Sequence, residues 1–383
     1  MLEWLFWSSL VLGVYPFAIY PLFVRMVAAA RTRRVAKDDA YLPMVTVITA
    51  AFNEARCIEA TVRNKLEQDY PADRLNVLVV SDSSEDGTDD IVRRIAAEDA
   101  RVTLLRQSPR QGKTAGLNLA MASARGDIIV FADANSIYRP DTVRKLVRNF
   151  ADPSVGYVTG RMVYVNPDGS LVGDGCDAFM RYENALRAAE TRIGSIVGVD
   201  GGVDAIRRAL YRPMRADQLP DFVLPLCVVG QHHRVVYEPD AVLTEDTLTD
   251  SNAEFRMRVR VALRALWALW DNARLLNPFV SGIFSWQLAS HKLLRYLAFF
   301  PLGIAAVSVW LLVSGSALYS ALAAAELLFA LAVLGAWLAP RILGVAALPR
   351  LCCYFLLVNV ASAVAFSRFV RGQKQVLWQP RTG

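Results

Sequence analysis

The sequence predicts an α/β domain, built on a mixed and mostly parallel sheet, carried between transmembrane α-helices. Three observations lead there. From Val45 to about Val163, short β-branched runs alternate with segments of helical period, the pattern of parallel strands joined by helices. Long apolar blocks stand near both ends of the chain. Charge is segregated as well: residues 292–383 carry eight Lys/Arg against one acid, Glu326, a net +7. With the whole chain at +6, residues 1–291 sum to −1.

The first apolar block, Trp4 to Ala30, is long enough to span a bilayer, and Arg25, Arg31, Arg33, Arg34 and Lys37 accompany its C-terminal end. A cleaved leader carries its positive charge before a shorter apolar core, so this block reads as an uncleaved helix whose C-terminal end faces the cytoplasm. The strands follow as Val45–Thr49, Val77–Val80, Val102–Leu105 and Ile128–Phe131, with helical segments at Ile58–Leu66, Ile91–Ala97 and Leu117–Ala124. Beyond them, Arg256, Arg260 and Arg264 recur every fourth residue among Leu263, Leu266, Trp267 and Trp270. That spacing fits an amphipathic helix on the bilayer surface and equally a packed helix with a solvated Arg face. Three further apolar blocks, Leu293–Val313, Ala317–Ala339 and Leu351–Phe366, close the chain. The expected division is 1–38, 39–250, 251–291 and 292–383.

Composition excludes several classes. The chain is 54% hydrophobic, above the roughly 45–50% of soluble domains, and only 20% charged, so it is not disordered. Its basic excess lies in the membrane-flanking tail, which argues against a nucleic-acid partner. The five Cys lack metal-type spacing. The uncharged Ser314-Gly315-Ser316 link is expected outside and the Arg341–Arg350 link inside. A full third crossing would then leave Arg368, Arg371, Lys374 and Arg381 outside, against the charge rule, so re-entry of Leu351–Phe366 is expected.

Four polar clusters follow the strands: Phe52-Asn53-Glu54, Ser81-Asp82-Ser83-Ser84, Arg110-Gln111-Gly112-Lys113 and Asp133-Ala134-Asn135. Singly each reads as a turn or helix cap, and Lys113 as an exposed lysine at a helix start. At one end of one sheet they would surround a single crevice, where such sheets bind ligands. Gly112-Lys113-Thr114 does not make a phosphate loop, because Gln107 stands where the first glycine belongs. His232-His233 lacks a third ligand and reads as a surface turn.

Together with Gly201-Gly202-Val203-Asp204-Ala205-Ile206-Arg207-Arg208, these clusters resemble glycosyltransferase family 2, inverting enzymes of the GT-A fold whose membrane branch includes cellulose, chitin and hyaluronan synthases and bacterial exopolysaccharide transferases. The resemblance implies that Phe52, Glu54 and Asp82 hold the nucleoside and that Lys113 lies near the base or diphosphate. It implies that Asp133 and Asn135 hold a Mg2+ or Mn2+ ion bound with the donor diphosphate. Two departures stand out: Asn135 replaces an acid, and Arg256-Met257-Arg258-Val259-Arg260 stands where processive synthases carry Gln-x-x-Arg-Trp. Arg256, Arg258 and Arg260 are the expected acceptor-side and interfacial residues.

Two acids compete as general base. Thr244-Glu245-Asp246 spells a synthase signature, but Asp221 has the family's spacing: Arg260 lies 39 residues after Asp221 and only 14 after Asp246. The expectation is a family 2 hexosyltransferase integral to the inner (plasma) membrane, its catalytic domain cytoplasmic. It would move a sugar from a nucleotide sugar, a UDP-sugar by preference, to a lipid, lipid-linked or glycan acceptor. A processive synthase that secretes its polymer, with a second copy completing a channel, is the alternative; an inactive nucleotide-sugar-binding scaffold is another.

Overall fold

The computed structural model describes residues 1–165, 171–246, 251–338 and 347–376; side chains at 164–165, 171–179, 246, 251, 253, 347–348 and 350 are outside that description. Eight strands form one sheet: β1 Val45–Ala51, β2 Leu75–Asp82, β3 Val102–Gln107, β4 Ile128–Asp133, β5 Ile137–Tyr138, β6 Val155–Val165, β7 Val203–Arg207 and β8 Arg234–Asp246. Their order is β3-β2-β1-β4-β7-β6-β8-β5. The first four are parallel, β7 runs antiparallel between β4 and β6, and β6 pairs parallel with β8. Every residue of β1 is buried, as expected of a strand covered on both faces. Alternate residues feed two cores: Val47, Val79 and Val130 on one face, Ile48, Val80 and Ile129 on the other.

The helices include α1 Leu2–Ala30, which packs on other helices, and α2 Ile58–Leu66, α3 Thr88–Glu98, α4 Lys113–Ser123, α5 Thr142–Val147, α6 Leu171–Ile193, α7 Pro220–Gly230 and α8 Ser251–Asp271. The last is more enclosed than an interfacial helix would be. Val259, Leu263 and Leu266 pack on Ala361 and Ala365, while Ala265, Ala268 and Leu269 join the domain core. Its Arg face is not fully solvated either, because Arg264 is buried.

Among the described residues three helices are long and apolar enough to cross a membrane: α1, then Ala317–Leu338, and Leu351–Val370. The expected span over Leu293–Val313 is not one straight helix. It divides into α9, Ile283–Leu297, and α10, Phe299–Leu312, bent by 54°. At 14 residues α10 rises about 21 Å, too short to span alone. We number the last two helices α11, Ala317–Leu338, and α12, Ala347–Val370. Trp4, Phe23, Leu328 and Trp337 point outward from this group, as lipid-facing side chains do. The chain just after α12 returns to α8 and the sheet domain: Trp267 Nε1 donates to the Gln373 carbonyl at 2.8 Å, and Lys374 pairs with Asp217 at 2.6 Å. Arg381 of the expected basic tail lies outside the described residues.

Candidate active site

The cleft opens at the C-terminal ends of β1, β2 and β4, where parallel strands present their last residues to one crevice. At the β2 end, Asp82 is 2% exposed. Its carboxylate accepts from Gln107 Nε2 at 2.5 Å and from the backbone N–H groups of Gln111 and Gly112 at 2.9 and 3.0 Å. Asp82 therefore fixes the turn that leads into Lys113. Beside it the Arg110 guanidinium stacks 3.4 Å above the Phe52 ring, an exchange of cation and π-face that prepares a flat surface.

The β4 end is held from behind by α2. Thr61 donates to the Ala134 carbonyl at 2.7 Å, the Asn64 side chain brackets the Tyr138 backbone, and buried Lys65 donates to the Ser136 carbonyl at 2.6 Å. Burial pushes the Lys65 amine down to about 7, with nearby Asp133 opposing the shift. These bonds fix the Asp133–Asn135 turn by its main chain and leave its side chains to the cleft.

Lys113 Nζ donates to Asp133 Oδ1 at 2.6 Å and lies 4.0 Å from Asp221 Oδ1, which begins α7. Burial alone would lower the lysine, but Asp133 and Asp221 raise it well above its usual range and keep it charged. Facing them is the pair Gly201-Gly202, with φ of 75° and 74°. A Cβ at Gly201 would meet the Asp221 carboxylate at 2.8 Å, and one at Gly202 would meet Asp133 at 3.0 Å. Only glycine permits both this backbone and this approach. The remaining space, about 210 Å³, is lined by Glu54, Lys113, Asp133, Asn135, Asp200, Asp221, Glu245, Arg260 and Arg264 among others.

Oxygen donors dominate this lining, which suits a hard divalent cation. Asn135 Nδ2 donates to Glu245 Oε1 at 3.0 Å, so the amide oxygen is the atom left for a cation. Among the described residues no group of three His, Cys, Asp or Glu forms a complete metal cage. A donor diphosphate would have to supply the remaining oxygens.

Comparison with known proteins shows the family and the fold. The family model for glycosyl transferase family 2 matches residues 46–209, which span the sheet from β1 through the glycine wall. Those residues are a glycosyl transferase family 2 domain. An N-acetylglucosaminyltransferase of Rhizobium meliloti is 28% identical over 260 residues, covering 63% of this chain and 60% of that protein. A beta-monoglucosyldiacylglycerol synthase of Trichormus variabilis is 29% identical over 185 residues, covering 48% and 40%. The chain thus spans about half the length of such relatives. A solved mannosyltransferase of Pyrobaculum calidifontis, in complex with GDP-Man and Mn2+, superposes with a TM-score of 0.77 at 25% identity, over 97% of this chain and 100% of that one. The sheet domain has the GT-A fold, and the superposition extends over the flanking helices.

Glu54, Lys113, Asp133 and Asn135 of the family 2 domain share the cleft with Asp221, which lies beyond the matched residues, while Phe52 and Asp82 sit at its β1–β2 margin. Glu54 is raised above the ordinary carboxylate range by burial, with the Cys57 thiol opposing and Asp133 adding to the shift. The arginines of α8 divide. Arg260 lines the cleft, Arg258 pairs with Glu254 at 2.7 Å and faces the Tyr354 ring, and Arg256 is exposed. Three cleft residues were not among the expected site. Arg264, lowered to about 10 by burial, reaches Thr114 and the Gln218 carbonyl; Asp200 and Glu245 complete the acidic wall. Glu245 belongs to the Thr244-Glu245-Asp246 motif, so that spelling does mark the site. The Asp246 side chain lies outside the described residues.

Proposed function

We propose that this family 2 domain transfers a sugar from a nucleotide sugar to an acceptor hydroxyl, with inversion at the anomeric carbon and Asp221 as general base. One observation supports the reading above others: Asp221, Lys113 and Asp133 meet at one cleft behind a wall of two glycines. Asp221 takes the proton of the acceptor hydroxyl as its oxygen bonds to the anomeric carbon. The bond from that carbon to the diphosphate oxygen breaks, and its electron pair leaves with the nucleoside diphosphate. Lys113 supplies positive charge beside this leaving group. A Mg2+ or Mn2+ ion bound with the diphosphate would be held by Asp133, with Asn135 as a neutral oxygen ligand, and would neutralise the growing charge.

Phe52, Glu54 and Asp82 are assigned to the nucleoside end, and Arg260 to the acceptor side. The acceptor is a lipid, lipid-linked sugar or glycan at the cytoplasmic face of the plasma membrane. The support is the set of apolar helices, the basic flank after α1, and a relative named for glycolipid synthesis. A UDP-sugar is our preferred donor, and the GDP-Man of the structural neighbour is the rival. The test is release of nucleoside diphosphate by the purified chain from UDP-glucose, UDP-N-acetylglucosamine and GDP-mannose, with membrane lipid as acceptor. Turnover of one donor supports the reading; failure to bind or turn over any of them contradicts it.

A further inference from the structure

The loop between α6 and β7, residues 194–202, ends in the glycine pair that walls the cleft. Its sequence, Gly-Ser-Ile-Val-Gly-Val-Asp-Gly-Gly, offers little with which to hold itself. Two helices hold it instead. From α6, Arg187 Nε donates to the Gly198 carbonyl at 3.1 Å, and Arg187 Nη1 pairs with Asp200 at 2.6 Å. Glu190 accepts from the Val197 N–H at 3.2 Å. From α9, Gln287 donates to the Ser195 carbonyl at 3.2 Å, and Lys292 lies so close to Gly198 that any side chain there would meet its ammonium.

The two helices are also locked to each other. His291 of α9 stands between Glu190 at 2.7 Å and Glu183 at 3.0 Å, with Arg295 on the second oxygen of Glu183. Tyr20 of α1 donates to Glu190 at 2.6 Å. All of these side chains are buried. Charges taken from water are costly unless paired; here the Glu183 and Glu190 carboxylates and both His291 nitrogens are bonded, while Arg295 Nε is left without a partner.

We propose that Arg187 is a positioning residue for the glycine wall. Its guanidinium fork grips Asp200 and the Gly198 carbonyl together, which sets Gly201 and Gly202 against Asp221 and Asp133. The α6–α9 charge cluster behind it makes α9, the first half of the bent apolar pair, part of the scaffold of the cleft. A lysine cannot hold two acceptors at that fixed spacing. This inference rests on the proposed transfer reaction only for its kinetic consequence, since the bracing itself is a property of the fold.

The experiment uses the full chain in lipid nanodiscs and compares wild type with Arg187→Lys. Three quantities are measured: kcat with whichever donor the wild type turns over, binding of UDP and GDP, and hydrogen exchange of peptides covering 194–203 and β2. The expected result is a kcat at least about tenfold lower, because small displacements of reacting groups cost that much. Nucleotide binding stays within about twofold, since the Asp82 turn lies on the other side of the cleft. Exchange rises in 194–203 and not in β2. Unchanged kcat, unchanged loop exchange, or nucleotide binding lost in step with kcat overturns the proposal. If Arg187→Lys does not fold, Asp200→Asn carries the same test, because it keeps the side-chain shape and removes the charge. If wild type turns over no donor, the transfer reading falls, while loop exchange still decides the bracing.

Discussion

The Lys113 ammonium stands 2.6 Å from Asp133 Oδ1 and 4.0 Å from Asp221 Oδ1, a single cation between two carboxylates with different tasks. In the proposed reaction Asp133 serves the leaving diphosphate and Asp221 the incoming hydroxyl. Lys113→Met removes the charge and leaves those acids to repel each other. The expected outcome is a kcat/KM lower by about a hundredfold, with weaker nucleoside diphosphate binding. Steady-state kinetics and calorimetry check both parts; unchanged binding would mean that the lysine does not approach the diphosphate.

The glycine wall makes a sharper steric prediction. Gly201→Ala places a methyl group against Asp221 and forces a positive φ on a residue with a Cβ. It should cost about 1–3 kcal/mol of stability and lower kcat far more than it weakens nucleotide binding. Alanine at Gly303, where a Cβ would meet nothing within 4 Å, is the control and should be mild.

Asp204 sits in β7 at 1% exposure, where burial, with Asp221 adding, pushes its carboxyl up to about 8. The unfolded chain releases this proton near pH 4, while the folded chain keeps it to about pH 8. Across that window the native state binds more protons, so this residue's contribution lowers stability as pH rises, by at most about 1.4 kcal/mol per pH unit. Asp204→Asn should flatten the dependence and raise Tm at pH 7.5. A variant less stable than wild type at that pH would show that the carboxylate is charged and needed in the fold.

The docking of Gln373 and Lys374 on the catalytic domain predicts a common face. Single cysteines at exposed Arg125 and at Gln373, in a background freed of the native cysteines, should label from the same side of sealed vesicles. Opposite labelling would mean that these contacts do not form in the membrane.

Much of this was legible in the sequence because period and position carried it. The β-branched runs gave β1 to β4, and the polar residues ending them gave Glu54, Asp82 and Asp133. Asp200 and Arg264 were harder, because each reaches the cleft by tertiary packing rather than by ending a parallel strand; Glu245 does end one, β8, but far along the chain from the first four. Asp200 is held by Arg187, 13 residues earlier, and Arg264 is turned inward by a helix whose Arg spacing equally fits a lipid surface. The α9–α10 bend was hidden for a related reason. Continuous apolarity records what a segment avoids, while direction is set by neighbours such as α1, whose Gly13 admits Leu302.

The account turns on which acid is the base. Asp221→Asn and Asp246→Asn should be assayed side by side for sugar transfer and for nucleoside diphosphate binding. The account predicts that Asp221→Asn lowers kcat by at least about a hundredfold with nucleotide binding intact, and that Asp246→Asn is far milder. Transfer that depends on Asp246 and survives without Asp221 would contradict it.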